Sequence, residues 1–320
     1  MDNMKMMSKQ RKKRINSLTR ALFLIGIGFV MVYPVVFMLS TAFKSIFDVY
    51  DPTVVWLPKY FSLQPLSLAG QVLNYWDSIK TTIGITLPSV VLQVATALLA
   101  GYGFARFEFK ENKLLFGLLI FTIIVPPQAY IMPLYVSFGR FDYFGIGSLI
   151  GQITGKPLTT NLLNTNTPFY LQAVLGAGIR SGLYIFIIRQ FFINIPNELE
   201  EAAMIDGCGP LKTFLRIMLP NAVPLIATIS VFSIVWYWND FVFSSIFFTD
   251  KFPISVNLTF LNSLLSTSNL TGGLSSQELV FLKEPILAAG ALITILPLII
   301  LYIFAQRYFT EGIERSGIVG

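Results

Sequence analysis

One short segment of this chain combines residue types and a spacing that suit a specific interaction. Glu201, Ala202 and Ala203 are followed three residues later by Gly207, and after a further nine residues by Ile217-Met218-Leu219-Pro220. The segment is charged and helix-forming, whereas the chain on both sides of it is strongly apolar. An apolar protein has little reason to keep such a segment unless something in the water binds it. The chemistry that we predict here is therefore protein docking.

The local signals of this segment predict two short helices. Asn197 can cap the first helix, and Glu200 stands three residues later, where it could reach back to the cap. Gly207 suits the left-handed position that ends a helix. Gly209-Pro210 suits the start of a second helix, which we expect over Leu211–Leu219 and which ends at the following proline. The result would be two helices joined by a bend that glycine allows.

Small side chains in the first helix would let another surface approach closely, while Glu201 and Asp206 would supply charges at the rim. An interfacial hairpin that only joins two membrane spans would explain any one of these residues. The whole spacing favours docking instead. The predicted docking residues are Glu200, Glu201, Ala202, Ala203, Asp206, Gly207, Ile217, Leu219 and Pro220.

A second group of candidates lies inside the apolar stretches. Trp238, Asn239 and Asp240 follow two further aromatic residues, a combination that suits sugars, whose C–H faces stack on rings while their hydroxyls bond polar groups. Arg180 is expected about midway along the fourth span, and Asp240 is its nearest candidate partner by type. Polar residues in a bilayer usually face the bundle interior or a water-filled path. A structural contact between helices explains these four residues equally well, and lesser lining candidates are Gln93, Gln128 and Tyr130.

The elements that position these residues are expected to be membrane helices. Hydrophobic residues make up 54% of the chain and charged residues 12%, with a mean hydropathy of +0.67. A bilayer-spanning helix needs about 20 apolar residues. We predict an all-α membrane protein with six spans, at about 20–43, 81–105, 114–136, 168–192, 221–248 and 285–306.

The basic residues indicate an orientation. Of the 23 lysines and arginines, seven precede the first span. The loops on the same side of the membrane as this N-terminal segment hold Arg106, Lys110, Lys113, Arg189, Lys212, Arg216, Arg307 and Arg315. The opposite loops, 44–80, 137–167 and 250–284, hold only seven. The positive-inside rule then places both termini and the docking segment in the cytoplasm. The net charge of +6 is thus explained by topology, and we predict no nucleic-acid partner.

The composition removes most catalytic chemistry. The chain has no histidine, and Cys208 is its only cysteine, which argues against metal sites, disulfides and most catalytic triads. It has no Gly-x-x-x-x-Gly-Lys-Ser/Thr loop, so we predict that any ATP and Mg²⁺ bind to separate subunits. The predicted organisation is a basic segment at 1–19, one membrane domain at 20–306 that includes the loop 193–220, and a tail at 307–320.

The spacing of the docking segment resembles the EAA loop of ABC importer permeases. Three further stretches strengthen the likeness: Phe186–Phe192, Trp238–Phe241 and Gln306–Gly312. From about residue 15 onward, the chain resembles the smaller, six-span permease subunit of maltose-type carbohydrate importers. The resemblance implies the type I importer permease fold, with the loop acting as a coupling helix that transmits closure of the ATPase subunits. The tail, which keeps Gly317 and Gly320 but has Val319 where a lysine is common, is implied to reach towards the ATPase.

The resemblance also implies a set of partners and a location. These are a second, non-identical permease, two ATP-binding cassette subunits, an extracellular or periplasmic sugar-binding protein, and the lipid of a bacterial cytoplasmic membrane. A secondary transporter or channel is the alternative, but it predicts ionisable residues along several spans and often two similar halves. An intramembrane enzyme would lack the residues that such chemistry needs.

Overall fold

The fold was analysed in a computed structural model that describes residues 2–267 and 275–316, with side chains at 16–266, 275 and 277–306. Its regular elements are helices, and two isolated β-bridges join Lys44 to Phe61 and Phe141 to Thr160. The predicted all-α class is confirmed. The α-helices are α1 (Asp2–Ala42), α2 (Ile46–Tyr50), α3 (Gln64–Val72), α4 (Tyr75–Arg106), α5 (Asn112–Ile124), α6 (Ile131–Gly139), α7 (Ile146–Thr154), α8 (Thr167–Val174), α9 (Ser181–Ile193), α10 (Glu198–Ile205), α11 (Pro210–Thr213), α12 (Leu219–Asn221), α13 (Val223–Trp238), α14 (Val242–Phe247), α15 (Ile254–Thr267) and α16 (Ser276–Ser316).

Three helical stretches of the described chain are long and apolar enough to cross a bilayer unaided. They are Asn16–Ala42, Tyr75–Arg106 and Gln277–Gln306, and they coincide with the predicted first, second and sixth spans. A fourth is possible if Pro210–Asn221 and Val223–Trp238, which meet at a bend of 75°, count as one span. The total of six spans therefore stays a prediction.

The predicted third, fourth and fifth spans are interrupted rather than continuous. The third breaks between α5 and α6, where Pro126 and Pro127 lack the backbone N–H that helix continuation requires. The fourth breaks between α8 and α9, where Gly176 and Arg180 have φ values of +72° and +62°. The fifth breaks after Trp238, before α14. Hydropathy identifies apolar stretches, but these backbone features decide where a helix stops.

The outward loops predicted from polar composition contain helices of their own. The segment 44–80 holds α2, α3 and the start of α4, and the segment 137–167 holds α7. In 250–284, Ile254–Ser266 is a short apolar helix. The serine and threonine content that marked this segment as a loop is compatible with a helix because their hydroxyls bond carbonyls one turn earlier, as Thr259 Oγ1 does with Ser255 O at 2.9 Å.

The chain divides into two units, Met1–Leu73 with Leu261–Ile295 and Asn74–Phe260 with Leu296–Gly320. In the first unit, the buried carboxylate of Asp48 organises the turn that follows α1. It accepts hydrogen bonds from the backbone N–H groups of Ser45, Lys59 and Tyr60. Lys44 Nζ donates to the carbonyl of Val54 at 3.0 Å. These contacts give this connection a defined shape.

The second unit is built around α4, which packs against α8, α9 and α13. Gly101 brings α4 close to α9, since a Cβ built there would lie 2.6 Å from Ile188 Cγ2. Gln93, also on α4, is buried and joins three elements: its Nε2 donates to Ile179 O and Ser181 Oγ, both at 2.7 Å, and its Oε1 accepts from Ser233 Oγ at 2.5 Å. Helix α4 is therefore the central support for the candidate site.

Candidate docking surface

Arg106, the last residue of α4, holds the predicted docking segment. Its Nη2 donates to the carbonyl of Ile195 at 2.7 Å, and its Nη1 donates to Asn197 Oδ1. Its Nε lies 3.2 Å from Glu200 Oε1, in an ion pair whose side chains are only 9% and 11% exposed. One guanidinium thus binds the chain before α10, the residue that precedes α10, and the first turn of α10.

This arrangement corrects the predicted cap of the first helix. Asn197 makes no side-chain cap, and it has helical backbone angles, with φ −68° and ψ −25°. Its amide oxygen and the carboxylate of Glu200 are both directed to Arg106 instead. A charge-assisted contact to arginine is stronger than a neutral cap, so the tertiary partner replaces the local one.

Tyr102, one turn before Arg106, supports the second half of the segment. Its ring centroid lies 4.8 Å from that of Phe214 and 5.4 Å from that of Phe192 at the end of α9. All three side chains are buried. The last turn of α4 therefore contacts both halves of the docking segment, the first through a charge and the second through an aromatic cluster.

Gly207 ends α10 as predicted. Its φ is +78°, in the left-handed region that favours glycine. The N–H of Gly207 donates to Met204 O at 3.0 Å, and the N–H of Cys208 donates to Ala203 O at 2.9 Å. These two bonds together form a Schellman motif, which satisfies the last carbonyls of the helix.

The second helix starts at Pro210, as expected, but it is not regular up to Leu219. After α11 the chain forms a π-helical turn over Phe214–Met218 and then α12. Pro220 has no N–H to donate to the preceding turn, which accounts for the change in hydrogen-bond register before it. The chain then bends by 75° into α13.

The outward surface of the segment is more apolar than its charges suggest. Ile205 is 86% exposed and Leu211 is 69% exposed, and Met204 and Leu215 are also half or more exposed. An open groove of about 510 Å³ runs along Gly209–Arg216 and includes two basic residues. Burying a side chain such as that of Ile205 is worth about 1.5–3 kcal/mol. A partner surface that covered it would gain that free energy.

The predicted docking residues fall into two groups. Glu201, Ala202, Asp206, Gly207 and Pro220 are exposed and belong to the outward surface, while Ile217 and Leu219 are half-buried. Glu200 and Ala203 are buried within the chain. These two residues position the surface and do not form part of it.

The three polar candidates of the predicted fifth span have internal contacts. Trp238 is buried, and Asn239 Nδ2 donates to the carbonyl of Val235 at 2.9 Å. Asp240 Oδ2 accepts hydrogen bonds from the N–H and the hydroxyl of Ser244, both at 2.8 Å. Asp240 thus binds the first turn of α14, which is the structural role that the sequence left open as an alternative.

Arg180 does not form an ion pair with Asp240 in the described chain. Its guanidinium carbon lies 4.4 Å from the ring centroid of Trp236, a cation–π arrangement. Both side chains are exposed, Trp236 to 42%. Of the lesser candidates, Gln93 is buried in the network described above, Tyr130 is half-buried with its ring 6.2 Å from that of Phe243, and Gln128 is exposed.

Sequence reasoning missed Arg106 and Trp236. Arg106 was counted only as a topological charge, yet a cation at the end of a long apolar helix is a candidate partner for an acidic segment elsewhere in the chain. Trp236 stood next to the candidates but was not chosen. Helical spacing places it two residues before Trp238 on another side of α13, and this could have separated the exposed tryptophan from the buried one.

The sequence of this chain is similar to those of known proteins along nearly its whole length. Residues 93–315 match the family described as "Binding-protein-dependent transport system inner membrane component". The melibiose/raffinose/stachyose import permease protein MelC of Bacillus subtilis is 30% identical over 290 residues, which cover 90% of this chain and 91% of MelC. The arabinooligosaccharides transport system permease protein AraQ of Halalkalibacterium halodurans is 26% identical, covering 97% of this chain and all of AraQ.

The fold is also similar to that of a solved structure. A chain in the crystal structure of a bacterial ABC transporter involved in the import of the acidic polysaccharide alginate superposes with a TM-score of 0.70. The match covers 93% of this chain and 98% of that one, at 20% sequence identity. At that identity the likeness concerns the fold.

Proposed function

Because the chain belongs to the family of inner membrane components of binding-protein-dependent transport systems, we propose that it is the permease subunit of a sugar importer driven by separate ATPase subunits. The observation that carries the sugar class is the similarity, over nine-tenths or more of the chain, to permeases named for melibiose, raffinose, stachyose and arabinooligosaccharides. An oligosaccharide is the proposed cargo.

The exposed surface of α10 and the groove beside it form the proposed binding site for an ATPase subunit. It presents apolar side chains for burial, with Glu201 and Asp206 at its rim. An exposed apolar surface flanked by charges is typical of a protein interface. The same segment has an internal attachment to α4, so movement of a bound subunit can reach the membrane helices. ATP and Mg²⁺ would bind to that subunit.

The remaining partners follow from the family. A second, non-identical permease would complete the pathway, and an external sugar-binding protein would deliver the cargo. The proposed location is the cytoplasmic membrane of a bacterium, with both termini and the docking segment in the cytoplasm. The 15 basic residues on that side, against seven on the other, support this orientation.

Reconstitution tests this function. The chain is produced together with the proposed partner permease, ATPase subunits and sugar-binding protein, and the complex is placed in liposomes. The entry of labelled oligosaccharides is then measured with and without ATP. We expect uptake that needs ATP and the binding protein and that is insensitive to ionophores. Uptake driven by an ion gradient without any ATPase would instead support a secondary transporter.

The translocation pathway is proposed to pass the exposed Arg180–Trp236 pair. A charged side chain facing lipid is costly, so an exposed arginine within an apolar stretch suits a hydrated path or a partner subunit. Trp238, Asn239 and Asp240 are proposed to affect the pathway indirectly, because they stabilise the break between α13 and α14. Exchange of Trp236 for leucine should alter the preference among oligosaccharides, whereas exchange of Asp240 for asparagine should reduce the yield of folded protein. Equal effects on all sugars from Trp236→Leu, at normal yield, would argue against sugar contact.

A further inference from the structure

The contacts of Arg106 have a consequence for how the docking segment transmits force. The segment is joined to the membrane helices through the chain itself, by α9 before it and α13 after it. Two non-covalent contacts, both from the last turn of α4, add to these: Tyr102 packs on Phe214, and Arg106, 91 residues before Asn197 in sequence, holds the start of α10. The Arg106 contact is the polar one. Unlike the two chain connections, it can be removed without cutting the chain.

We propose that Arg106 is a positioning residue for coupling: its guanidinium fixes α10 to the end of α4, so that displacement of α10 is delivered to α4. This inference rests on the proposed function, in which movement of a bound ATPase subunit displaces α10. The fixation itself is a property of this chain alone.

The geometry supports fixation in three ways. The guanidinium contacts three oxygens, Ile195 O, Asn197 Oδ1 and Glu200 Oε1. All three lie just before α10 or in its first turn. The side chains of the ion pair are only 9% and 11% exposed, so screening by water is weak. Among the residues that the structure describes, Arg106 Nε and Glu200 Oε1 have no hydrogen-bond partner, so the ion pair compensates the burial of these two atoms.

The end of α4 is itself fixed by contacts with neighbouring elements, so a displacement of α10 can be transmitted to the helix. Arg189 of α9 donates from its Nε to the carbonyl of Phe104 at 3.3 Å, and its guanidinium lies 4.0 Å from the ring centroid of Phe116. Tyr102 is packed between Phe192 and Phe214. Movement of the Arg106 guanidinium is therefore resisted by the packed helix to which it belongs, and α4 is the helix that Gln93 joins to both α9 and α13.

A distance measurement in the complete permease complex tests the fixation. The single native thiol, Cys208, and a cysteine placed at the exposed position Lys110 carry spin labels, which report the distance between the docking segment and the region just after α4. We expect Arg106→Gln to broaden this distance distribution. The population in which α10 is detached from the end of α4 should rise roughly tenfold, the factor that the loss of about one charge-assisted bond gives. Lys113→Gln changes an exposed basic residue in the first turn of α5, and as the matched control it should leave the distribution unchanged.

Two further variants separate the shape of the side chain from its charge. Arg106→Lys keeps the charge but cannot contact three acceptors with a planar fork, so the distribution should remain broad. Glu200→Gln keeps the bonds to Ile195 and Asn197 and should give an intermediate width, while the exposed Glu198→Gln should resemble the unmodified chain. If Arg106→Gln fails to assemble, Glu200→Gln decides: an unchanged width overturns the proposal.

Transport measurements then distinguish coupling from simple structural support. At equal amounts of assembled complex, Arg106→Gln should continue to hydrolyse ATP while the sugar imported per ATP falls by about the same factor of ten. A broadened distance with an unchanged ratio of sugar to ATP would overturn the coupling role. Failure of the unmodified complex to import any sugar would refute the proposed function instead, and the distance measurement would still decide whether Arg106 fixes α10.

Discussion

At the scale of single residues, the two glycines of the docking segment have different roles. Gly207 has a φ of +78°, which an L-amino acid adopts only at a cost, whereas Gly209 has a φ of −74°, which any residue adopts. A Cβ built at either position meets no atom of the described residues within 4 Å. The pair therefore isolates backbone conformation from packing.

Replacing Gly207 with alanine should weaken the end of α10 and lower transport. The left-handed conformation costs an alanine about 1–2 kcal/mol, enough to reduce the population of the correctly ended helix by a factor of about five or more. Reconstituted complexes should show less sugar imported per ATP. Gly209→Ala adds the same methyl group without the strain. Because Gly209 borders the groove beside α10, the two variants are compared at equal amounts of bound ATPase, where Gly209→Ala should import as much sugar per ATP as the unmodified protein. Equal behaviour of the two variants would show that the left-handed turn does not matter for coupling.

The same scale shows which residues the sequence could predict. Gly207 and Pro210 were predicted because helix ends depend on neighbours within a few residues. The cap by Asn197 and Glu200 was wrong because Arg106 contacts them across 91 residues of sequence. Asp240 was recognised as unusual in an apolar stretch, but its partner, Ser244, could be found only once the break before α14 was known. A local pattern predicts local geometry, and tertiary partners override it where they are charged.

At the scale of elements, the contact between α4 and α9 depends on a glycine. The backbone of α4 at Gly101 is so close to α9 that a Cβ would lie 2.6 Å from Ile188 Cγ2 and 3.2 Å from the backbone nitrogen of Arg189. Small residues allow such approach between membrane helices. Gly178 behaves similarly in the break before α9, since a Cβ there would lie 2.5 Å from the hydroxyl of Tyr237.

Replacing Gly101 with alanine should destabilise the protein. Overpacking of this kind costs about 1–3 kcal/mol, and a backbone atom among the neighbours limits the relief that side-chain movement can give. Gly103→Ala, two residues later on α4, adds its methyl group to open space and should be neutral or slightly stabilising. Thermal unfolding of the two variants in the same detergent checks this, with a lower midpoint expected for Gly101→Ala alone. A lower midpoint for both would indicate that α4 tolerates no added volume.

At the scale of the whole molecule, hydropathy and charge predicted the class but not the continuity of the helices. Apolar length identified α1, α4 and the apolar part of α16, which need no other information. The interruptions near Pro126, Arg180 and Asn239 depend on backbone conformations that a hydropathy average does not contain. These interruptions bring Arg180 next to Trp236 and Asp240 next to Ser244. The candidate pathway residues are thus positioned by the places where helices stop.

The orientation of the chain gives the last prediction. If both termini are cytoplasmic, the connection between α1 and α4 is outside and the one between α4 and α5 is inside. In a Cys208→Ser background, a cysteine at the exposed Thr53 should react with a membrane-impermeant thiol reagent in intact cells, while one at the exposed Lys110 should react only after the membrane is opened. In the sequence α4 lies between the two positions, and its 32 residues extend about 48 Å as a helix, more than the thickness of a hydrocarbon core. The reverse pattern would place the docking segment outside the cell, away from ATP, and would remove the basis for coupling at that surface.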